Sequence, residues 1–334
     1  MSPETLVLAV MGLGLVAYVL GAGADFGGGV WDLLARGPRA ERQRALVERS
    51  IAPIWEANHV WLIFIVVLTF AVFPRAFAVI ATAFHVPLLL ALIGIVLRGS
   101  AFTFRAYGLE PAHRRRWWQR VFAWSSLIGP LFLGVTLGGM SSGHVEAAGG
   151  RVTSGFVAGW TTPFAWMVGA FTLALFALLA AVYLTLDAER EGADDLVHDF
   201  RRRTIMAELV AGAAAMLTLW RASVDAPLLF EQLWRSSWSI PVQLATALVA
   251  FTVIAAAHTG RHALARIAVI VQVTLVVVAW GLAMDGHLVL PDVRYDQAGA
   301  LPQVTTPLIW ALAGGSVILA PSLYFLFRVF KSPT

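Results

Sequence analysis

The sequence predicts an all-α integral membrane protein of about nine transmembrane helices, and three observations carry that prediction. Hydrophobic residues make up 59% of the chain and charged residues 13%, and the mean hydropathy is +0.76; a water-soluble fold has no means of hiding that much apolar surface. The apolar residues gather in runs of the length that crosses a hydrocarbon core, roughly 20 residues each. Basic residues sit in the short stretches between those runs, in loops that alternate between rich and poor.

Taken in order, the runs and their breakers place spans near 5–26, 52–73, 77–97, 121–141, 160–186, 204–221, 239–258, 265–284 and 307–327. Nine such spans use ~180 residues, so residues 1–334 read as a single polytopic membrane domain with no soluble module. No Lys or Arg precedes the first span, only Glu4, so it reads as a retained helix rather than a cleaved secretion signal. The charged stretch 187–203 reads as a solvated loop or helix extension. Gly23/Gly27 and Gly134/Gly138 are spaced for close contact between helix backbones.

Orientation follows from the loops. One set carries 19 of the 24 Lys and Arg residues, at Arg36 to Arg49, Arg98 to Arg120, Arg190 to Arg203, Arg261 with Arg266, and Arg328 with Lys331. The other set holds only Arg75, Arg151, Arg221, Arg235 and Arg294. The positive-inside rule then puts the N-terminus out and the C-terminus in the cytoplasm. The same topology accounts for the net charge of +4 and the pI near 9.9 with no nucleic-acid partner. A C-terminal fluorescent fusion is expected to light up in the cytoplasm, and an export-dependent reporter at the same place to stay silent; the reverse pattern would overturn the orientation.

The absence of cysteine removes disulfides, thiolate catalysis, iron–sulfur clusters and Cys-ligated zinc, so any metal would need His, Asp or Glu. Few ionisable side chains lie within spans, where a charge costs about 2.5–3.5 kcal/mol even on the lenient insertion scale. They are Asp25 near the inner end of the first span, Glu56 and His59 early in the second, His85 near the middle of the third and Glu208 about one turn into the sixth. Asp25 and Glu56 fall at similar depth on antiparallel neighbours and read as a carboxyl pair. His59 is i+3 from Glu56, ~4–5 Å deeper, and extends the set into a short ladder of the kind a proton relay needs. The structural alternative makes Glu56 and Asp25 the ion-pair partners of Arg98 or Arg105, with Trp55 as an interface residue. Glu56-x-x-His59 is also the element of carboxylate di-iron bundles, but the second in-span copy and two further Glu are missing. His59 and His85 are the candidates for axial haem ligation, although a lone His in a span more often serves as a hydrogen-bonded or proton-linked group.

The stretch Gly23-Ala24-Asp25-Phe26-Gly27-Gly28-Gly29-Val30-Trp31-Asp32, the stretch Ser50 to Leu62, and the run Leu97-Arg98-Gly99-Ser100-Ala101-Phe102-Thr103-Phe104-Arg105 occur in that order on a nine-span layout. Together they resemble subunit II of the bd-type terminal quinol oxidases. The tight motifs cover roughly residues 21–105, the most specific being Ser50-Ile51-Ala52-Pro53 with Trp55, an acid at 56, Asn58 and Val60-Trp61-Leu62. Gly281 to Asp292 resembles the family's outer loop before its last helix.

The resemblance implies two four-helix bundles plus one peripheral helix, packed as a pseudo-symmetric heterodimer with subunit I. In the family that partner holds two b-type haems and haem d, so no cofactor is expected to be ligated by this chain. The complex is expected in the bacterial plasma (inner) membrane, oxidising quinol and reducing O₂ to water with protons from the cytoplasm. Carried over to this sequence, the resemblance makes Glu56 the start of a proton channel into subunit I, with Asp25 beside it; His59 is the next group on the ladder. Many members have Asp where this chain has Glu56, and Tyr-Pro where it has Gly286-His287. Chain length and Glu56 resemble the shorter, cyanide-insensitive branch. Small single-span accessory subunits and a bound quinone or lipid are left open. A different reading of the same acid and His set is a proton-coupled secondary transporter; against it, the glycine cluster occurs once, not in two matching halves. A self-sufficient b-type cytochrome would need two well-placed His pairs.

Overall fold

Ser2 starts the first helix: its side chain accepts a hydrogen bond from the Thr5 N–H at 3.2 Å, Pro3 occupies the first turn, and Glu4 adds acidic charge there. In the computed structural model, which describes residues 2–51, 55–107 and 112–331, this helix α1 spans Pro3–Leu34. It runs well past the expected end near residue 26, straight through the glycine cluster. A mid-helix Gly costs about 1 kcal/mol relative to Ala, but here the missing side chains let neighbouring helices approach, and that packing sustains the helix.

The first half continues with α2 (Ala40–Ile51), α3 (Trp55–Val72), α4 (Pro74–Ala83), α5 (His85–Tyr107) and α6 (Ala112–Ser141). After α6 come a two-residue-turn hairpin of β1 (Ala147–Ala148) and β2 (Arg151–Val152), then α7 (Pro163–Arg190) and α8 (Asp194–Asp225). The hairpin turn is Gly149-Gly150, with φ of 59° and 79°, the left-handed pair that a type I′ turn requires. The chain ends with α9 (Pro227–Arg235), α10 (Ser239–His258), α11 (His262–Ala283), the short strands β3 (His287–Val289) and β4 (Val293–Arg294), α12 (Tyr295–Ala298) and α13 (Pro302–Lys331). Eight of the described helices are long and apolar enough to cross a bilayer, and up to nine spans result if α2 and α3, bent by 54° at their junction, count as one. The chain is thus a multi-pass, all-α membrane protein.

Several sequence expectations change in detail. The third span, expected at 77–97, is divided: α4 stops at Ala83 and the spanning helix is α5. Pro87 explains the break, because it lacks the N–H that the Ala83 carbonyl would bind and its ring clashes with that carbonyl four residues back. As a result His85 is not mid-span but the first, exposed residue of α5, its Nδ1 2.8 Å from the Thr82 carbonyl. The outer connection 222–238 holds the end of α8 and most of it is the helix α9. Residues 187–203 are helical except for a turn at 191–193, where Gly192 takes φ 66°, and their acids are engaged. Arg39 pairs with Asp199 at 2.6 Å, Arg42 with Asp195 at 2.5 Å, and Arg49 with Glu191 at 2.7 Å, which straps α2 along the start of α8. Each such exposed pair contributes about 0–1 kcal/mol, so the strip orients α2 more than it stabilises it.

Helix α7 lies at the centre, against α1, α2, α6, α8 and α11. Both glycine pairs singled out in the sequence turn out to face it. A Cβ on Gly27 would stand 1.8 Å from the Phe176 carbonyl oxygen, and one on Gly134 2.7 Å from the Gly169 Cα. The core between α1 and α7 is filled by Phe26, Phe176, Leu178 and Leu179, all buried. At the other extreme, α13 is exposed along almost its whole length, Thr305 being its one buried residue among those described.

Candidate functional site

Residues of α1, α3, α5 and α6 enclose a cluster of polar side chains inside the apolar core. Asp25 on α1 and Asn58 on α3 are each 5% exposed, and the Asn58 Nδ2 donates to Asp25 Oδ2 at 2.6 Å. Gly21, one turn before Asp25, makes this bond sterically feasible: a Cβ there would meet the Asn58 Oδ1 at 2.5 Å. From α5, Arg98 enters at 1% exposure, its guanidinium 4.9 Å from the Phe26 ring centroid and 5.3 Å from that of Phe122 on α6. Its charge acts on Asp25 and Tyr18. Its Nε and Nη2 have no hydrogen-bond partner among the described residues. Contact with two ring faces attracts a desolvated guanidinium by about 2 kcal/mol, which offsets only part of the cost of burying it; the nearby carboxylate supplies the counter-charge.

His59 lies on the same side of α3, its ring 6.0 Å from Tyr18 and 5.6 Å from Phe26. Glu56 does not. It sits exposed in the first turn of α3 and makes no hydrogen bond or ion pair among the described residues. The expected Asp25–Glu56 carboxyl pair is therefore replaced by Asp25–Asn58. Two positions along a helix are separated by 200° of rotation, so when Asn58 faces α1, Glu56 faces away from it. The side chain of Trp55 lies outside the described residues, as do Ala52, Pro53 and Ile54.

Arg105 has other partners than those the sequence offered it. Its Nη1 binds Asp32 Oδ1 at 2.9 Å and its Nε binds Glu48 Oε2 at 3.1 Å, with Arg105 and Asp32 both buried. Arg44 completes this clamp by donating to the Ala35 carbonyl at 3.0 Å, near the end of α1. The clamp holds α1, α2 and α5 together and is structural in character. A further buried acid, Glu208 on α8, accepts a 2.6 Å bond from Gln272 on α11, both side chains being below 10% exposure. Sequence reasoning named Asn58 only as part of the motif and passed over Gly21 and Gln272. Gln272 had a signal, since an amide within the run Ile270-Val271-Gln272-Val273 needs a partner in lipid.

The histidines do not fit a shared haem. His59 lies one turn from the start of α3, whereas His85 begins α5 beside Phe156, 4.8 Å away, in the loop after α6. The stretch of α3 from His59 to its end alone separates the two levels by ~20 Å, so the rings cannot flank one haem. Nor do three His, Asp or Glu side chains converge as for a metal ion among the described residues.

A profile described as cytochrome bd terminal oxidase subunit II matches residues 3–330. The chain belongs to that family. It is 23% identical over 328 residues to a putative cytochrome bd menaquinol oxidase subunit II of Bacillus subtilis, an alignment covering 94% of this chain and 91% of that one. It is 27% identical over 180 residues to the cytochrome bd-I ubiquinol oxidase subunit 2 of Escherichia coli, covering 53% and 47% of the two chains. Its fold is similar to a chain of the bd oxidase structure from Geobacillus thermodenitrificans, with a TM-score of 0.76 and 23% identity over 99% of both chains. Family membership displaces the secondary-transporter reading of the same acids and His.

Proposed function

We propose that this chain is the second subunit of a quinol:O₂ oxidoreductase of the bacterial plasma membrane, where it scaffolds the haem-bearing subunit I and provides a cytoplasmic path for the protons that O₂ reduction consumes. Relatives named as menaquinol and ubiquinol oxidase subunits support the substrate class. Helix contacts fit two groups, α1 with α3 and α6 and α5 with α6, and α7 with α8 and α11 and α10 with α8 and α11, joined where α7 packs on α1 and α6, with α13 peripheral.

The observation that carries the proton role is the buried Asp25–Asn58 bond at 2.6 Å, which fixes one carboxylate oxygen inside a membrane span, at a cost that a purely structural helix contact would avoid. Glu56 lies exposed on the face of α3 turned away from α1, open to water or to a partner, and collects the proton. His59, one turn on between α3 and α1, is the next group able to hold one, and Asp25 is bound to the residue before it, Asn58. Arg98 keeps Asp25 matched in charge, so that the buried site tolerates a passing proton without a large net-charge excursion. The haems expected on subunit I supply the electron transfer to O₂; the side chains of this chain hold and pass protons.

Purification through a tag on this chain is expected to bring down a haem-bearing second subunit with quinol-dependent O₂ consumption. In that complex His59→Ala and His85→Ala should leave all three haem signals of the visible spectrum in place. Loss of one haem on either substitution would return axial ligation to this chain.

A further inference from the structure

Where α1 ends, α2 begins and α8 passes, the surface is indented by a cavity of about 390 Å³ whose walls carry four arginines and one carboxylate, a net charge of +3. The carboxylate, Asp199, is already engaged: Arg39 binds it through Nε at 2.8 Å and Nη2 at 2.6 Å, and Gln43 donates to it at 2.8 Å. Arg36, Arg202 and Arg203 form no ion pair among the described residues, although all three line the cavity.

Arg203 is held in place. Its guanidinium lies 4.8 Å from the Phe200 ring centroid and 5.3 Å from that of Trp31, and Nη2 donates to the buried Gln43 Oε1 at 2.8 Å. Trp31 is itself fixed by donating to the Ala177 carbonyl at 2.8 Å. With ring contacts and one amide fixing the fork, Nη1 is left with no hydrogen-bond partner among the described residues. Nη1 is buried, so Arg203 sets an unneutralised positive charge behind the cavity wall, while the exposed guanidinium forks of Arg36 and Arg202 are the donors able to reach a phosphate oxygen.

The neighbouring surface identifies what carries the phosphate. Leu34 and Met206 border the cavity and are 46% and 60% exposed. From Met206 an exposed apolar stripe continues along one face of α8 through Leu209, Val210, Leu217 and Trp220. A free phosphate ion would use the arginines alone, whereas a phospholipid would use the arginines for its headgroup and the stripe for its acyl chains. We propose that this cavity is a binding site for an anionic phospholipid, with Arg202 and Arg36 as the headgroup donors and Arg203 as the fixed charge behind them. It lies on the arginine-rich side of the chain, apart from Asp25 and Glu56.

Native mass spectrometry of the assembled, delipidated oxidase complex, supplied with phosphatidylglycerol or phosphatidylcholine, tests the assignment. Phosphatidylglycerol is expected to bind in preference to phosphatidylcholine, and Arg202→Gln to weaken its retention about tenfold, the effect of losing one charge-assisted contact. Arg202→Lys should recover only part of it, because the fork is lost while the charge stays. Since Arg203 packs on two rings and is left unchanged, the exposed Arg36→Gln serves as the second variant, with the haem spectrum confirming assembly of both. Equal binding of the two lipids, or undiminished phosphatidylglycerol retention in the Arg36→Gln, Arg202→Gln double variant, would overturn the site. Inorganic phosphate that displaces phosphatidylglycerol at millimolar concentration would overturn the lipid assignment and leave an ordinary phosphate site.

Discussion

Replacing Glu56 by Gln is expected to leave the oxidase complex assembled, with its haem spectrum intact, while quinol-driven O₂ consumption falls on the order of 10²-fold, the scale of a lost proton-transfer group. Assembly should survive because Glu56 is exposed on α3 and has no hydrogen bond or ion pair among the described residues. The amide preserves size and polarity and removes only the titratable proton. Had Glu56 been the partner of a buried Arg, the same change would have cost roughly 3–5 kcal/mol and depleted the complex from the membrane; Arg105, however, is bound to Asp32 and Glu48. Glu56→Asp, which keeps the carboxyl one methylene shorter, should retain much of the turnover. The measurements are a haem spectrum and an oxygen-electrode trace on the same membranes. An assembled Glu56→Gln complex with undiminished O₂ consumption over pH 6–8 would move the proton path to Asp25 or to the partner subunit alone.

Gly27→Ala is expected to prevent stable assembly. The added Cβ would stand 1.8 Å from the Phe176 carbonyl oxygen and 2.8 Å from the Ala180 Cβ. The first of these is backbone in the middle of a buried helix, so no rotamer change relieves the clash and α1 must move off α7. Separating two close-packed helices loses contacts along their length and costs about 3 kcal/mol or more. Gly12→Ala is the matched control, because a Cβ there meets nothing within 4 Å; it should be neutral, or stabilising by up to about 1 kcal/mol through helix propensity. Both effects are read from the yield of complex and the midpoint of thermal loss of haem absorbance. Normal yield and midpoint for Gly27→Ala would mean that the α1–α7 contact is looser than described.

The contrast between Asn58 and Glu56 marks where sequence reasoning stops. Depth along the membrane is a one-dimensional quantity, and hydropathy together with basic loops reports it: the apolar runs and the small-residue pairs at Gly23/Gly27 and Gly134/Gly138 all follow from a bilayer that demands about 20 apolar residues per crossing and offers helices no hydrophobic drive to associate. These runs, with the motif between residues 21 and 105, determined the all-α membrane class and the family resemblance. Rotation about each helix axis is different. In a soluble helix the polar face reveals it, but here lipid-facing and protein-facing sides are both apolar, so nothing in the spacing said that Asn58 rather than Glu56 turns toward Asp25. Tertiary structure alone decided that, along with the partners of Arg105 and the pairing of Glu208 with Gln272. It also decided that Arg39, Arg42 and Arg49, in and just before α2, meet acids in the turn after α7 and at the start of α8. Each of these contacts joins residues far apart in the chain, and their energy depends on a rotation that a nearly uniform apolar pattern leaves unspecified until the helices pack.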